Sequence, residues 1–436
     1  MTDTRRTRLA VGAWAVGMLS TMSLAWSGSA NAQEPPPPAP PPAPGTELAA
    51  PPPPMMPPPA PVPPPATPSA VEAAPKPPTA TETMAATRPD ALPPIDVGAW
   101  TRVGGIFQNA YDPKKLNDFH LDNAYVELHA GGKVHKKVGV TLNLNANMTD
   151  YSASGVAKPI GNGNPLVAVM DAIISFDLQD ELHVWAGHLL VPVDRSNASG
   201  PFFMIPWNYP GFFATIVAAP KEGPSGRNNG VVVWGDIQGG KLTYLAGVFD
   251  QGDVSTSPLY SGRLRLALWD EEPGFWGNGS YFGDKDLLTI GVGGQYQKKG
   301  SGPDKAWTDI NADVLLEKKL GGGSFVTGEA AYYHYGVNDS TPAAINIPAA
   351  INISDAFYVL AAYATPTVGV GNIQPSVRYQ WAKPKGDGFS KAWDLDVGLA
   401  YLIKGPALRL VGNYSHTKFG DYSSNSIQLG AQAIFF

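Results

Sequence analysis

The sequence predicts an all-β protein, a transmembrane antiparallel β-barrel of about sixteen strands preceded by a disordered Pro-rich segment. Three observations carry this. Residues 138–149 (VGVTLNLNANMT) alternate with a period of two: Val138, Val140, Leu142, Leu144, Ala146 and Met148 against Gly139, Thr141, Asn143, Asn145, Asn147 and Thr149. A strand this long is nearer the roughly 9–11 residues that cross a bilayer than the roughly 5–6 of an ordinary soluble strand. Further copies of this pattern follow from residue 97, joined by connections that alternate between short and long, as in outer-membrane barrels. Beyond the N-terminus no run of about 20 apolar residues occurs, so the span must be made by strands.

Three segments are expected in order. Residues 1–32 have a basic start (Arg5, Arg6, Arg8), an apolar stretch from Leu9 to Trp26 and a small-x-small site at Ala30-Asn31-Ala32, the pattern of a cleaved secretory signal. Its removal takes away three arginines and Asp3, so the formal charge of −6 becomes −8. Residues 33–96 are dominated by proline broken by Ala, Thr and Glu. Proline lacks an N–H and fixes φ, so this segment is expected to be polyproline II or disordered, a passive linker, with a periplasmic tether that touches the cell wall or a partner as the sharper reading.

Residues 97–436 carry the barrel. The sixteen strands are expected near 98–109, 120–130, 138–149, 167–178, 181–190, 229–237, 241–250, 260–269, 287–297, 307–317, 324–335, 356–364, 373–381, 393–403, 407–416 and 426–436. In the fourth, Ala168, Met170, Ala172, Ile174, Phe176 and Leu178 oppose Asp171, Ser175 and Asp177. In the eighth, Leu264, Leu266 and Leu268 oppose Arg263 and Arg265. Trp100, Tyr151, Tyr296, Tyr335, Trp381 and Trp393 fall near strand ends, where an aromatic girdle belongs. The last strand puts Phe435 on its apolar face before a terminal Phe436. Residues 270–286 break the pattern: a short turn is due there, and 17 residues stand in its place. Residues 417–425 are expected as a long loop.

An open amphipathic sheet would leave edge N–H and C=O groups unpaired in lipid, so it must close. A sixteen-strand barrel has room for a water-filled lumen lined by its polar face. The candidates for that lining are Asn143, Asn145, Asn147, Asp171, Arg263, Arg265, Asp309, Asp313, Arg378 and Arg409. Each taken singly also fits a solvated wall residue. The longest loop, residues 191–228, contains SGPFFMIPWNYPGFF, too apolar for an exposed surface. It is expected either to fold inward and narrow the pore or to latch a neighbouring barrel, with Asp194, Arg195, Phe202, Phe203, Trp207 and Phe212 as the constriction candidates.

Other chemistry finds no support. Cysteine is absent, so there is no disulfide or thiolate metal site. His183 and His188 fall on opposite faces of one strand. Ser415 and His416 are adjacent and point apart, which argues against a hydrolase pair. No basic patch suggests nucleic acid. Neither a catalytic residue, a cofactor nor a metal is expected.

The strand pair DAIISFDLQDELHVWAGHLL (171–190), followed by Val191-Pro192-Val193-Asp194, resembles the passage of the phosphate-selective porin O and P family into its long loop, Gly-Gln-x-x-x-Pro-x-Gly. His188 stands where that family typically has Gln, and Asp194 where it has Gly. The resemblance implies a homotrimeric passive-diffusion channel for small hydrophilic solutes, set in outer-membrane lipid of a Gram-negative bacterium with its N-terminal segment in the periplasm. Phosphate selectivity would need a ladder of basic residues. With carboxylates and arginines mixed and a charge of −8, the expectation is weak selectivity leaning to cations. The competing reading is a barrel anchor that works through its Pro-rich segment.

Overall fold

The computed structural model describes residues 95–108, 118–147, 149–151, 157–159, 166–210, 226–250, 257–302, 305–337, 353–384, 391–419 and 422–435. The expected signal and almost all of the Pro-rich segment lie outside them, as do Met148, Phe212 and Phe436.

Sixteen strands form one closed antiparallel barrel. They are β1 (Asp96–Gln108), β2 (Asp118–His135), β3 (Val138–Asn147), β6 (Leu166–Gln179), β7 (Leu182–Leu190), β8 (Arg227–Ile237), β9 (Leu242–Phe249), β10 (Leu259–Ala267), β11 (Leu287–Gly302), β12 (Lys305–Gly321), β13 (Ser324–Val337), β14 (Ile353–Ala364), β15 (Asn372–Pro384), β16 (Ala392–Lys404), β17 (Leu408–Phe419) and β18 (Tyr422–Phe435). Two three-residue strands, β4 (Thr149–Tyr151) and β5 (Ala157–Pro159), pair with each other in the connection after β3. Each barrel strand pairs with its neighbour in sequence order, and β1 closes on β18 from Ala99↔Phe435 to Gln108↔Ser426.

The alternation sorts the side chains. Leu264, Leu266, Val397, Leu399, Leu410 and Leu429 stand exposed on the outer face, while Arg263, Arg265, Asp394, Asp396, Arg409 and Gln428 turn inward and are buried. An apolar band outside and a polar face inside is the inverse of a soluble protein and matches lipid on one side only.

Three expectations are corrected. In β6 the register slips between Asn143 and Leu144 of the facing strand, a β-bulge that seats both Met170 and Asp171 inward. Beyond it the outward residues are Val167 and Val169, not Ala168 and Met170. Trp100 and Tyr335 do not belong to an outer girdle. Each has the parity of an inward residue, Arg102 and Tyr333 respectively, and is buried. The outer aromatics include Tyr260, Tyr296, Tyr332, Tyr363 and Tyr414. Last, residues 417–425 are not a long loop: β17 and β18 continue pairing out to Phe419↔Tyr422.

The 17-residue exception at 270–286 contains no additional strand. It folds into the barrel. Phe275 and Trp276 are buried against Trp185 and Trp234, with Phe275 stacked on Trp185 at 4.7 Å.

Candidate functional site

The long connection after β7 enters the barrel at once. Val191 N–H donates to the Gly226 carbonyl at 3.0 Å, tying the two ends of the loop together. Asn197 presses against Gly226, which has a φ of +72° and no room for a Cβ. A single helical turn, α1 (Arg195–Ser199), follows. It is capped by Asp194, whose carboxylate accepts from Asn197 N–H at 2.9 Å. Asp194 also accepts from Ser196 Oγ at 2.9 Å and Tyr333 OH at 2.5 Å.

From there the loop crosses the interior, and the wall grips it on both sides. On the near side Ser261 donates to the Pro192 carbonyl and Arg263 to that of Val193 at 3.2 Å. Arg263 also holds Asp313 through two bonds of 2.6 and 2.9 Å, and Asp313 in turn accepts from Arg195 N–H at 3.3 Å. On the far side the partners are backbone carbonyls. Arg409 donates to Met204 at 2.6 Å, Arg102 to Trp207 at 2.6 Å, and Arg378 to Asn208 and Tyr209 at 2.8 and 3.0 Å. Gln432 donates to the Phe202 carbonyl at 3.0 Å. A guanidinium presents several N–H donors in a fixed fork, so one arginine satisfies several exposed loop carbonyls at once.

Apolar packing completes the seat. Phe202 and Phe203 meet the Trp100 ring edge-on at 5.2 and 5.6 Å. Trp207 packs with Phe325, Leu402 and Val411, under Arg102 at 3.8 Å from its ring centre. Gly430 makes this possible: a Cβ there would lie 2.4 Å from the indole.

The turn between β10 and β11 supplies a third grip. Arg195 pairs with Glu272 through both carboxylate oxygens. Arg265 donates to the carbonyls of Glu272, Gly274 and Trp276 at 2.8, 2.6 and 3.0 Å. Glu317 binds the rest of the turn through Ser280 Oγ, Tyr281 N–H and Gly283 N–H at 2.7, 3.1 and 2.8 Å. Burial would raise the Glu272 carboxyl, but the Arg195 and Arg265 guanidiniums and the Tyr281 hydroxyl outweigh it and bring it down to about 2.

Of the lining candidates, Asn143, Asn145, Asp171, Arg263, Arg265, Asp309, Asp313, Arg378 and Arg409 all face inward and are buried. The side chain of Asn147 lies outside the described part. Most are not bare wall. Asp171 is shared by Asn143 at 2.8 Å and Arg227 at 2.8 Å, and Arg378 Nε donates to Asp396 at 2.8 Å. Asp194, Arg195, Phe202, Phe203 and Trp207 all lie inside the barrel. Arg102, Glu272, Glu317 and Asp396 were not among the sequence candidates. Arg102 was within reach of the alternation in β1, and Glu272 was marked by the overlong turn around it.

No family model matches this chain, and no curated protein does. Among solved structures it is similar to the anion-selective porin from Comamonas acidovorans, with 13% identity, 78% of this chain and 99% of that chain covered, and a TM-score of 0.50. It is also similar to in-vitro folded OmpT of Vibrio cholerae in its trimer form (12% identity, 79% and 100% covered, TM-score 0.49) and to the Salmonella typhi OmpF complex with daunomycin (9% identity, 78% and 97% covered, TM-score 0.49). At 13% identity the likeness to the Comamonas structure is one of fold alone, a closed antiparallel barrel.

Proposed function

We propose that this chain is a passive channel of the outer membrane of a Gram-negative bacterium, admitting small hydrophilic solutes and ions without catalysis or a cofactor. The observation that supports this most is the loop from Val191 to Tyr209, which is gripped by β10, β12, β13, β15, β17, β18 and β1 from within a barrel whose outer face is apolar. Such a loop sets the width of a pore. An even number of strands puts both ends of the barrel on one side, which we take as periplasmic, and we assign residues 33–96 to the periplasm. We take the assembly to be a homotrimer.

The resemblance of residues 171–194 to the phosphate-selective porin O and P family belongs to this proposal, without its selectivity. The inward arginines are engaged by carboxylates or loop carbonyls rather than forming a bare anion ladder.

The test is single-channel recording in a planar bilayer. The wild type should give stable steps, and replacing residues 200–213 with a short Gly/Ser loop should enlarge them. Unchanged steps with loss of the oligomer would assign the loop to subunit contact.

A second reading draws on the burial of inward side chains on every barrel strand. A barrel closed at rest would act as an anchor for the Pro-rich segment. Correctly folded protein that never conducts would favour it.

A further inference from the structure

One inward patch is not used to hold the loop. It lies on β11 and β12, facing β13. Register puts Gln295 opposite Asp309, and Asp309 opposite Tyr335. Asn311 and Gln297 are each two residues along on the same face. All five side chains are buried, Gln295 at 5% exposure and Asp309 at 1%.

Two of the three amide donors in this patch are engaged. Asn311 Nδ2 donates to Asp309 Oδ2 at 3.1 Å, and Gln297 Nε2 to the Ser257 carbonyl at 2.9 Å. Apart from Asp309 Oδ2, the side-chain amide and carboxylate acceptors are not. Gln295 Oε1, Gln297 Oε1, Asp309 Oδ1 and Asn311 Oδ1 have no hydrogen-bond partner among the described residues, and Gln295 Nε2 also has none. Among the described residues, a second carboxylate, Asp194, lies close enough to act on Asp309. Arg263, on the adjoining strand β10, is bound to Asp313 and the Val193 carbonyl. Tyr335, in parallel stacking with Tyr333 at 6.2 Å, adds an aromatic wall.

Buried oxygen acceptors that lack donors are unstable alone. An anion would meet two carboxylates. A donor-bearing or positively charged species meets acceptors on two adjacent strands and a ring system that itself attracts cations. We propose that Gln295, Gln297, Asp309 and Asn311 form a subsite for a compact monovalent cation, an alkali ion or a protonated primary amine, on its way through the barrel. The proposal rests on the channel reading above.

The experiment is reversal-potential measurement in a potassium chloride gradient, with the wild type, D309N and the double variant Q295L/N311L, each first shown to be a folded barrel by heat-dependent gel migration. The wild type should prefer potassium over chloride. Both variants should lower that ratio by a factor of about two or more, most clearly at low salt, where screening is weakest. Added methylammonium should reduce potassium current in the wild type and do so less in D309N, which would separate amine binding from a general field effect. A conducting wild type whose selectivity is unaltered in both folded variants overturns the subsite alone. A folded wild type that never conducts overturns the channel reading and the subsite with it.

Discussion

Arg195 and Glu272 form a two-bond ion pair at 2.6 and 2.8 Å, 77 residues apart in sequence and fully buried inside the barrel. Arg195 belongs to the one-turn helix α1 in the long loop after β7, and Glu272 to the overlong turn after β10. β7 and β10 are the fifth and eighth strands of an antiparallel barrel, so the pair joins two connections that enter from opposite ends of the barrel. Neither connection depends only on the wall for its place.

Breaking this pair should loosen both connections. In E272Q the buried Arg195 charge loses its two-bond partner and keeps only Asp313, 3.4 Å from its Nε, so the cost should fall below the roughly 3–5 kcal/mol of a fully unpaired buried charge. The expected outcome is noisier, larger conductance steps and a lower temperature for the gel-mobility shift of the folded barrel. R195M should behave alike, and the double variant should be milder than the sum of the two. Additive effects in that cycle would show that the two connections are held independently.

Acid should release the same latch late. The Glu272 carboxyl lies at about 2, below its ordinary value of 4.5. A carboxyl depressed in the folded state contributes stability that is complete above the ordinary value and lost as pH falls through the folded value. Step size should thus stay level from neutral pH down to about pH 4.5 and rise only as pH approaches 2. In E272Q this acid limb should be missing. A rise centred near pH 4.5 in the wild type would mean that Glu272 is solvated and not paired.

The outer face makes its own prediction. Leu264 is half exposed on β10 between two buried arginines, Arg263 and Arg265. If that face meets lipid, L264R should weaken folding into bilayers by up to about 2–4 kcal/mol, depending on depth. L264F should be nearly neutral. Equal tolerance of both, measured by folding into vesicles under urea titration, would argue against a lipid-facing position.

The barrel was legible because alternation is a local property. At 263–266 of β10 and 394–396 of β16, leucines and charges change places residue by residue, and the structure follows the pattern. Alternation fails where the backbone adds a residue. The bulge at Met170 reverses the parity of the first part of β6, and nothing in the apolar side chains there marks it. Trp100 shows a second limit: an aromatic near a strand end suits an interface, but its parity with Arg102 turns it inward against Phe202. The grips on the loop were the least legible part. Glu272 and Arg195 are distant in sequence, and the partners of Arg409, Arg102 and Arg378 are carbonyls, which every residue has.

That last point yields the sharpest test of the loop's seat. Arg409 donates to Met204 at 2.6 Å and Gln432 at 3.1 Å, with longer contacts to Ile205 and Pro201 at 3.4 Å. Lysine keeps the charge but replaces the planar fork with a single ammonium, so it cannot span these acceptors together. If the charge mattered, R409K would resemble the wild type. If the fork matters, R409K should lose about 1.5–3 kcal/mol of loop anchoring and resemble R409Q. The readout is protease cleavage within residues 200–210 of the folded barrel, together with step size. Both should rise in R409K and R409Q alike, while R263K, on the other side of the loop, should leave the 200–210 segment protected. A protected segment in R409K would show that the apolar seat of Phe202, Phe203 and Trp207 holds the loop without the arginine.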